Sequence, residues 1–184
     1  METRKKRRRT DGREKDYRRN RRLGALFTIA LALLILALFF GVWLTPVRIS
    51  GDSMAPALRE GEIVLVDRLA KYWKTPARGD MVMFRTADGD FIKRIAGLPG
   101  ETVDIQEGKA YINGRPLDET AYAANYVGSM EPVTVPEGSV FLLGDNRALI
   151  YDSRLANLGC VAYTEIFGAL RVRVSPLSRV TVFF

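Results

Sequence analysis

Histidine is absent from this chain of 184 residues, and cysteine occurs once, at Cys160. The first absence excludes a Ser-His-Asp triad outright. The second excludes an internal disulfide, and with no imidazole to join the one thiol, a tetrahedral zinc site of the usual Cys and His ligands is excluded. Cys160 reads as a small buried residue. A basic folded surface is missing as well, although the net charge is +7. Residues 1–22 hold 12 of the 28 Lys and Arg but only 4 of the 21 Asp and Glu. The other 162 residues carry 16 basic and 17 acidic groups, so nothing in the charge of the folded part points to nucleic acid.

What the chain does contain first is a long apolar run. After the charged tail METRKKRRRTDGREKDYRRNRR, which reads as disordered, comes LGALFTIALALLILALFFGVWL over 23–44. It is 22 residues without a charge, or about 33 Å as a helix, enough to cross a bilayer. The basic flank predicts a cytoplasmic tail, with the remainder of the chain on the far side and Trp43 near the far interface. The run is longer than the apolar core of a cleaved leader, and its exit Trp43-Leu44-Thr45-Pro46-Val47 offers no small-x-small cleavage site. Three parts follow: a cytoplasmic tail (1–22), an uncleaved anchor (23–44) and an extracytoplasmic domain (45–184).

From Val47 onward the pattern is β. GEIVLVD (61–67), DMVMFRT (80–86), DFIKRIAG (90–97) and ETVDIQE (101–107) are short runs rich in Val, Ile and Phe. KAYINGRPL (109–117) holds Asn113-Gly114, a strong hairpin signal. SVFLLG (139–144), a segment around 161–174 and RVTVFF (179–184) add strands, and 118–136 reads as a polar loop or small insertion. The expected fold is mainly β: a folded-over antiparallel sheet or partly open barrel behind one transmembrane helix. RVTVFF and Trp73 read as core, with a membrane-touching edge as the alternative.

ISGDSMAPAL (49–58) sets Ser53 in a turn between Gly51 and Pro56. As a nucleophile it needs a base with a pKa near working pH. With no imidazole, a desolvated lysine is the remaining choice, because burial disfavours its charged form. Period two sets Lys93 beside Phe91 and Ile95, with Arg94 on the reverse, so Lys93 is the candidate. The competing reading is a lysine whose stem packs while its head reaches water.

Four ordered blocks carry a family resemblance: GDSMAPAL (51–58), RGDMVMF (78–84), IKRIAGLPGE (92–101) and GDNRALIYDSR (144–154). With the basic tail and single anchor, the chain resembles the bacterial type I signal peptidases, in their compact Gram-positive form. The resemblance implies a membrane-anchored serine endopeptidase that removes signal peptides after small residues at −1 and −3. It implies Ser53 as nucleophile, Lys93 as general base and the Ser53 N–H in the oxyanion hole. Gly51 stands where some members carry an oxyanion serine. Asp145, Arg147, Asp152 and Arg154 would buttress the site. Met54, Leu58, Phe91 and Ile92 would line one pocket, and Val47, Ile49, Val64 and Met83 a second. The implied partners are signal peptides of secreted preproteins and the lipid bilayer, with a monomer as the expected state. No metal, cofactor or nucleic acid is implied.

One position departs from the pattern. Ile150 stands where the family usually has a serine that holds the lysine amine; Ala57 replaces a threonine more mildly. Two consequences are open. The apolar side chain lowers the Lys93 pKa further and orients the amine less well, or the loop takes another path and Ser153 or Tyr151 supplies the hydroxyl. A self-cleaving Ser/Lys peptidase of repressor type and a catalytically silent binding protein are the other readings. The anchor opposes the first, and only Ile150 favours the second.

Overall fold

The structure is a computed structural model that describes residues 21–38, 41, 43–73 and 75–183, without the side chains of Lys71 and Trp73. Of the tail 1–22 read as disordered, 1–20 lie outside these residues, whereas Arg21 and Arg22 open the first helix; the reading of Trp73 as core lies outside the described side chains. Two units divide between Val42 and Trp43. The first contains helix α1, Arg21–Leu38, whose 18 residues span about 27 Å and are apolar enough to cross a bilayer.

The second unit runs in the order β1 (Leu44–Arg48), β2 (Ile63–Asp67), α2 (Ala70–Trp73), β3 (Met81–Thr86), β4 (Gly89–Gly97), β5 (Thr102–Gln106), β6 (Lys109–Ile112), β7 (Arg115–Pro116), β8 (Met130–Thr134), β9 (Ser139–Leu143), β10 (Val161–Ala162), β11 (Ile166–Ser175) and β12 (Thr181–Val182). One sheet has the order β1-β2-β11-β3-β4-β9-β10, with β12 also on β11; a second has the order β7-β6-β5-β8. All strand pairs are antiparallel, and neither sheet closes into a barrel.

Local chemistry accounts for most of these elements. Asn113 and Gly114 both take positive φ, 51° and 75°, as a two-residue hairpin turn between β6 and β7 requires. The unbroken run MVMF in β3 is buried on both faces. Met81 and Met83 join a core cluster with Ile49, Met54, Leu58, Val64, Val66 and Leu170, while Val82 and Phe84 join one with Ile95, Val140, Leu142, Val161 and Ile166. A third cluster, with Val103, Ile105 and Ala110 against Phe141 and Leu143, seats the small sheet on the large one.

Two expectations need correction. The apolar run does not stay helical to residue 44: Leu44 pairs with Asp67 as the first residue of β1, and the Trp43 indole N–H donates to Asp67 Oδ1 at 2.7 Å. Hydropathy cannot separate the end of an apolar helix from an apolar strand that follows it directly. The stretch 118–136 is not wholly a loop, since Met130–Thr134 forms β8 on β5. Its four exposed residues and Pro132 hid it, and both suit the outside strand of a sheet.

Candidate functional site

The turn with Ser53 is an excursion between β1 and β2. Its base is closed by Ile49 N–H to the Glu62 carbonyl at 2.8 Å and Gly61 N–H to the Ile49 carbonyl at 2.9 Å. Met54 and Leu58, 2% and 0% exposed, peg it into the core, and the Leu58 N–H donates to the Met54 carbonyl at 2.7 Å. Gly51 has φ +75°, a conformation that side chains other than glycine disfavour, and it turns the chain just before Ser53.

Lys93 lies forty residues on in sequence, in β4, and its Nζ stands 2.6 Å from Ser53 Oγ. The side chain is 1% exposed, so the reading with its head in water does not describe it. Burial pushes its pKa down from 10.5 to about 8; the carboxylates of Asp152 and Asp145 pull upward and Arg154 pushes downward. Burial is the largest of these causes, so the apolar setting of β4 controls the basicity of the amine.

Loop 144–154 ties the two walls together. The Asn146 N–H donates to the Ser53 carbonyl at 3.1 Å, and its Nδ2 donates to the Asp52 carbonyl at 3.3 Å. Gly144 passes so close that a Cβ there would meet the Ser53 carbonyl oxygen at 2.7 Å. Arg94 Nε and Nη2 form a fork with Asp145, at 2.8 and 2.6 Å. Burial nevertheless lifts the Asp145 carboxyl above its usual range, against the pull of Arg94. Asp152 takes Gly144 N–H at 3.0 Å and Arg154 Nη2 at 2.8 Å, and Arg154 also reaches the Arg147 carbonyl at 2.8 Å. Arg147, 1% exposed, donates to the carbonyls of Gly144 and Gly108 and pairs with buried Glu119.

The four charged residues named from sequence are thus gathered behind the dyad, but three residues that tie them or the turn in place were not assigned to the site: Glu119, partner of Arg147, Arg94, partner of Asp145, and Asn146, which holds the Ser53 turn. Glu119 sits in a segment that reads as a polar loop, Arg94 on the reverse of the lysine strand, and Asn146 inside a block where only its neighbours drew notice. No local pattern marks Glu119. The asparagine carried a signal: it stands between two charged residues in a tight GDNR turn.

Ile150 is 52% exposed, and Lys93 meets Ser53 without it. The two hydroxyls considered as its substitutes are engaged elsewhere. The Tyr151 hydroxyl donates to Asp88 Oδ2 at 2.6 Å while its ring stacks on Phe91, with centroids 4.4 Å apart. Ser153 Oγ accepts the Leu142 N–H at 2.9 Å. Ile150 contributes its carbonyl, which takes the Asp152 N–H at 2.8 Å.

Beside the dyad runs a groove of about 500 Å³, lined by Val47–Met54 apart from Asp52, by Met83 and by Asp88–Ile92. Of the residues assigned to pockets, Val47, Ile49, Met54, Met83, Phe91 and Ile92 line it. Leu58 and Val64, both 0% exposed, do not; they lie in the core cluster shared with Ile49, Met54 and Met83 and back the groove wall. Cys160 is half-buried against the third core cluster. Among the described residues, no group of three or more Cys, Asp or Glu is arranged to hold a metal ion.

Comparison with known proteins places this geometry in a family. Residues 21–175 match the family of signal peptidases, peptidase S26. Signal peptidase I S of Bacillus subtilis is 35% identical over 164 residues, covering 83% of this chain and 86% of its own. A signal peptidase I of Bacillus amyloliquefaciens is 36% identical over 163 residues, covering 82% of each. A solved signal peptidase I from Enterococcus faecalis is 33% identical, with a TM-score of 0.42 over 53% of this chain and 97% of that one. With a match over residues 21–175 and relatives of this identity and coverage, the chain belongs to the signal peptidase family, peptidase S26.

Proposed function

We propose that this protein is a membrane-anchored serine endopeptidase that removes signal peptides from preproteins, with Ser53 as nucleophile and Lys93 as general base. The observation that carries the reading is the 2.6 Å approach of a buried lysine amine to Ser53 Oγ. With its pKa near 8, the amine is neutral in about a tenth of molecules at neutral pH, and a neutral amine accepts a proton.

Ser53 Oγ attacks the scissile carbonyl carbon as Lys93 takes its proton. The oxyanion forms against the Ser53 N–H. The C–N bond then breaks, and Lys93 hands the proton to the departing amine, releasing the mature protein and leaving an acyl-enzyme. Water attacks the ester, Lys93 takes its proton and returns it to Ser53 Oγ, and the signal peptide leaves as a carboxylate. No step requires a metal or cofactor.

The signal peptide lies as an extended strand in the groove between residues 47–51 and 89–92, where alternate side chains meet alternate pockets. Met54, Phe91 and Ile92 receive the −1 residue; Val47, Ile49 and Met83 receive the −3 residue. These shallow apolar walls favour small side chains. Helix α1 holds the enzyme in the same bilayer as its substrate, which raises their effective concentration.

The test is cleavage of a preprotein with an Ala-x-Ala site by the detergent-solubilised chain, alongside Ser53→Ala and Lys93→Met. The expected result is cleavage after the second alanine by the parent and loss of at least a thousandfold in each variant. A parent that binds the preprotein without cutting it would replace this reading with that of a silent binding protein.

A further inference from the structure

Residues 176–183 lie beyond the 21–175 that match the family. In sequence 179–184 read as a terminal strand of the core; the structure pairs Thr181 and Val182 with β11 and leaves Val180 and Val182 half-exposed. The segment alternates. Arg179, Thr181 and Phe183 turn toward the domain, while Val180 and Val182 are 53% and 50% exposed, an alternation of period two.

The inward residues meet the turn that carries Ser53. Glu62, 4% exposed, stands at the foot of that turn and pairs with two arginines, Arg173 of β11 and Arg179. Arg173 Nη1 donates to the Ala57 carbonyl at 2.5 Å and to Glu62 Oε2 at 3.3 Å. Its Nε donates to the Arg179 carbonyl at 2.6 Å, and its Nη2 to Thr181 Oγ1 at 2.8 Å. Arg179 Nη2 donates to the Pro56 carbonyl at 3.2 Å. A planar fork can hold a carboxylate and a neighbouring carbonyl together, which a lysine ammonium does less well.

We propose that segment 176–183 positions the nucleophile: Arg179 and Arg173, gathered on Glu62, hold the carbonyls of Pro56 and Ala57 and so fix the turn on which Ser53 sits. This rests on the reading of Ser53 as nucleophile. The turn is then gripped on two sides. Asn146 holds the carbonyls of Asp52 and Ser53 from loop 144–154, and the arginine pair holds those of Pro56 and Ala57 from the opposite end of the chain. The Ser53–Lys93 approach depends on both grips, because Lys93 is held in the ladder of β4 while Ser53 sits on an excursion between β1 and β2, outside any strand.

The informative variant is Arg179→Ala. Arg179 is 28% exposed, and its removal leaves Glu62 paired with Arg173, so the fold is retained. Arg173 is 7% exposed and also holds Ala57, Thr181 and the Arg179 carbonyl, so its removal would disturb the fold itself. Full-length parent, Arg179→Ala, Arg179→Lys and Leu177→Ala are assayed in detergent on the Ala-x-Ala preprotein, with Leu177, 87% exposed, as control. Amide hydrogen exchange over 50–62 is measured on the same samples.

The expected result for Arg179→Ala is a drop in kcat of roughly ten- to a hundredfold, since small misplacements of a reacting group cost that much. KM stays within about twofold. Exchange at 54–58 speeds up, and the rising limb of the pH–rate profile moves to higher pH as water reaches the Lys93 amine and relieves the burial that lowers its pKa. Arg179→Lys recovers part of the rate, and Leu177→Ala matches the parent. Parent-like kcat or parent-like exchange in Arg179→Ala overturns the proposal while the peptidase reading stands. Loss that tracks melting temperature alone, with an unmoved pH profile, also overturns it. An inactive parent instead overturns the peptidase reading, and exchange over 50–62 still decides whether Arg179 holds the turn.

Discussion

Lys93 is the residue on which the proposed chemistry turns. Its amine is held against Ser53 Oγ, and burial lowers its pKa to about 8. The rate constant kcat/KM should therefore climb tenfold per pH unit below about 8 and level off above it. A profile already flat from pH 6 would mean that another group is the base. The same burial is a cost to the fold. A lysine with a lowered folded pKa leaves the unfolded chain binding more protons between about 8 and 10.5, so stability rises with pH across that window. Below it the cost is fully present, roughly 3 kcal/mol for a shift of this size. Lys93→Met should thus unfold at higher urea than the parent at pH 7, with the advantage shrinking above pH 8. Ile150 belongs to the same scale. Its side chain is half-exposed and its carbonyl does the bonding, so Ile150→Ser should change kcat/KM less than about threefold and leave the pH midpoint in place. A midpoint moved by half a unit or more would give the side chain a role at the amine.

At the scale of elements, segment 119–126 and loop 144–154 act as a strap and a bracket. The Ala124 N–H donates to the Asp145 carbonyl at 2.8 Å, the Arg147 N–H to the Ala124 carbonyl at 2.9 Å, and Arg94 stacks 4.1 Å above the Tyr122 ring. The deepest tie is Glu119–Arg147, 2% and 1% exposed. A buried pair of this kind adds little net stability, but removing one partner strands the other. Glu119→Ala should lower the free energy of unfolding by about 3–5 kcal/mol, read from urea curves, with Glu119→Gln intermediate. A loss below about 1 kcal/mol would mean that water reaches Arg147 and the tie is not a closed one.

For the whole molecule the question is which side of the bilayer holds each unit. Ten basic residues precede an apolar helix long enough to cross it and two more open its first turn, so the tail should be cytoplasmic and the β unit outside. Protease added to sealed right-side-out cells should cut the β unit and spare an epitope placed at residue 1; in inverted vesicles the tail should be cut first. The reverse pattern would put the β unit with the cytoplasm and remove it from exported substrates.

The sequence by itself determined the long apolar helix, most strands, the Asn113-Gly114 hairpin and the choice of Lys93 as the candidate partner of Ser53. These rest on short-range rules: hydropathy, a period of two, turn residues that accept positive φ, and the absence of histidine. The same rules misplaced the end of the apolar run, because Leu44 in β1 is as apolar as the helix before it. They also missed β8, because an exposed outside strand with a proline has no alternation to read. Only the tertiary structure decided what depends on contacts distant in sequence. The 2.6 Å approach joins residues forty apart, Glu119 meets Arg147 across 28 positions, and Arg179 reaches Glu62 across 117. Local pattern gives a charged residue its polarity but not its partner; the partner is chosen by which strands pack together, and burial then makes that choice binding, because an unpaired charge in the core costs too much to keep.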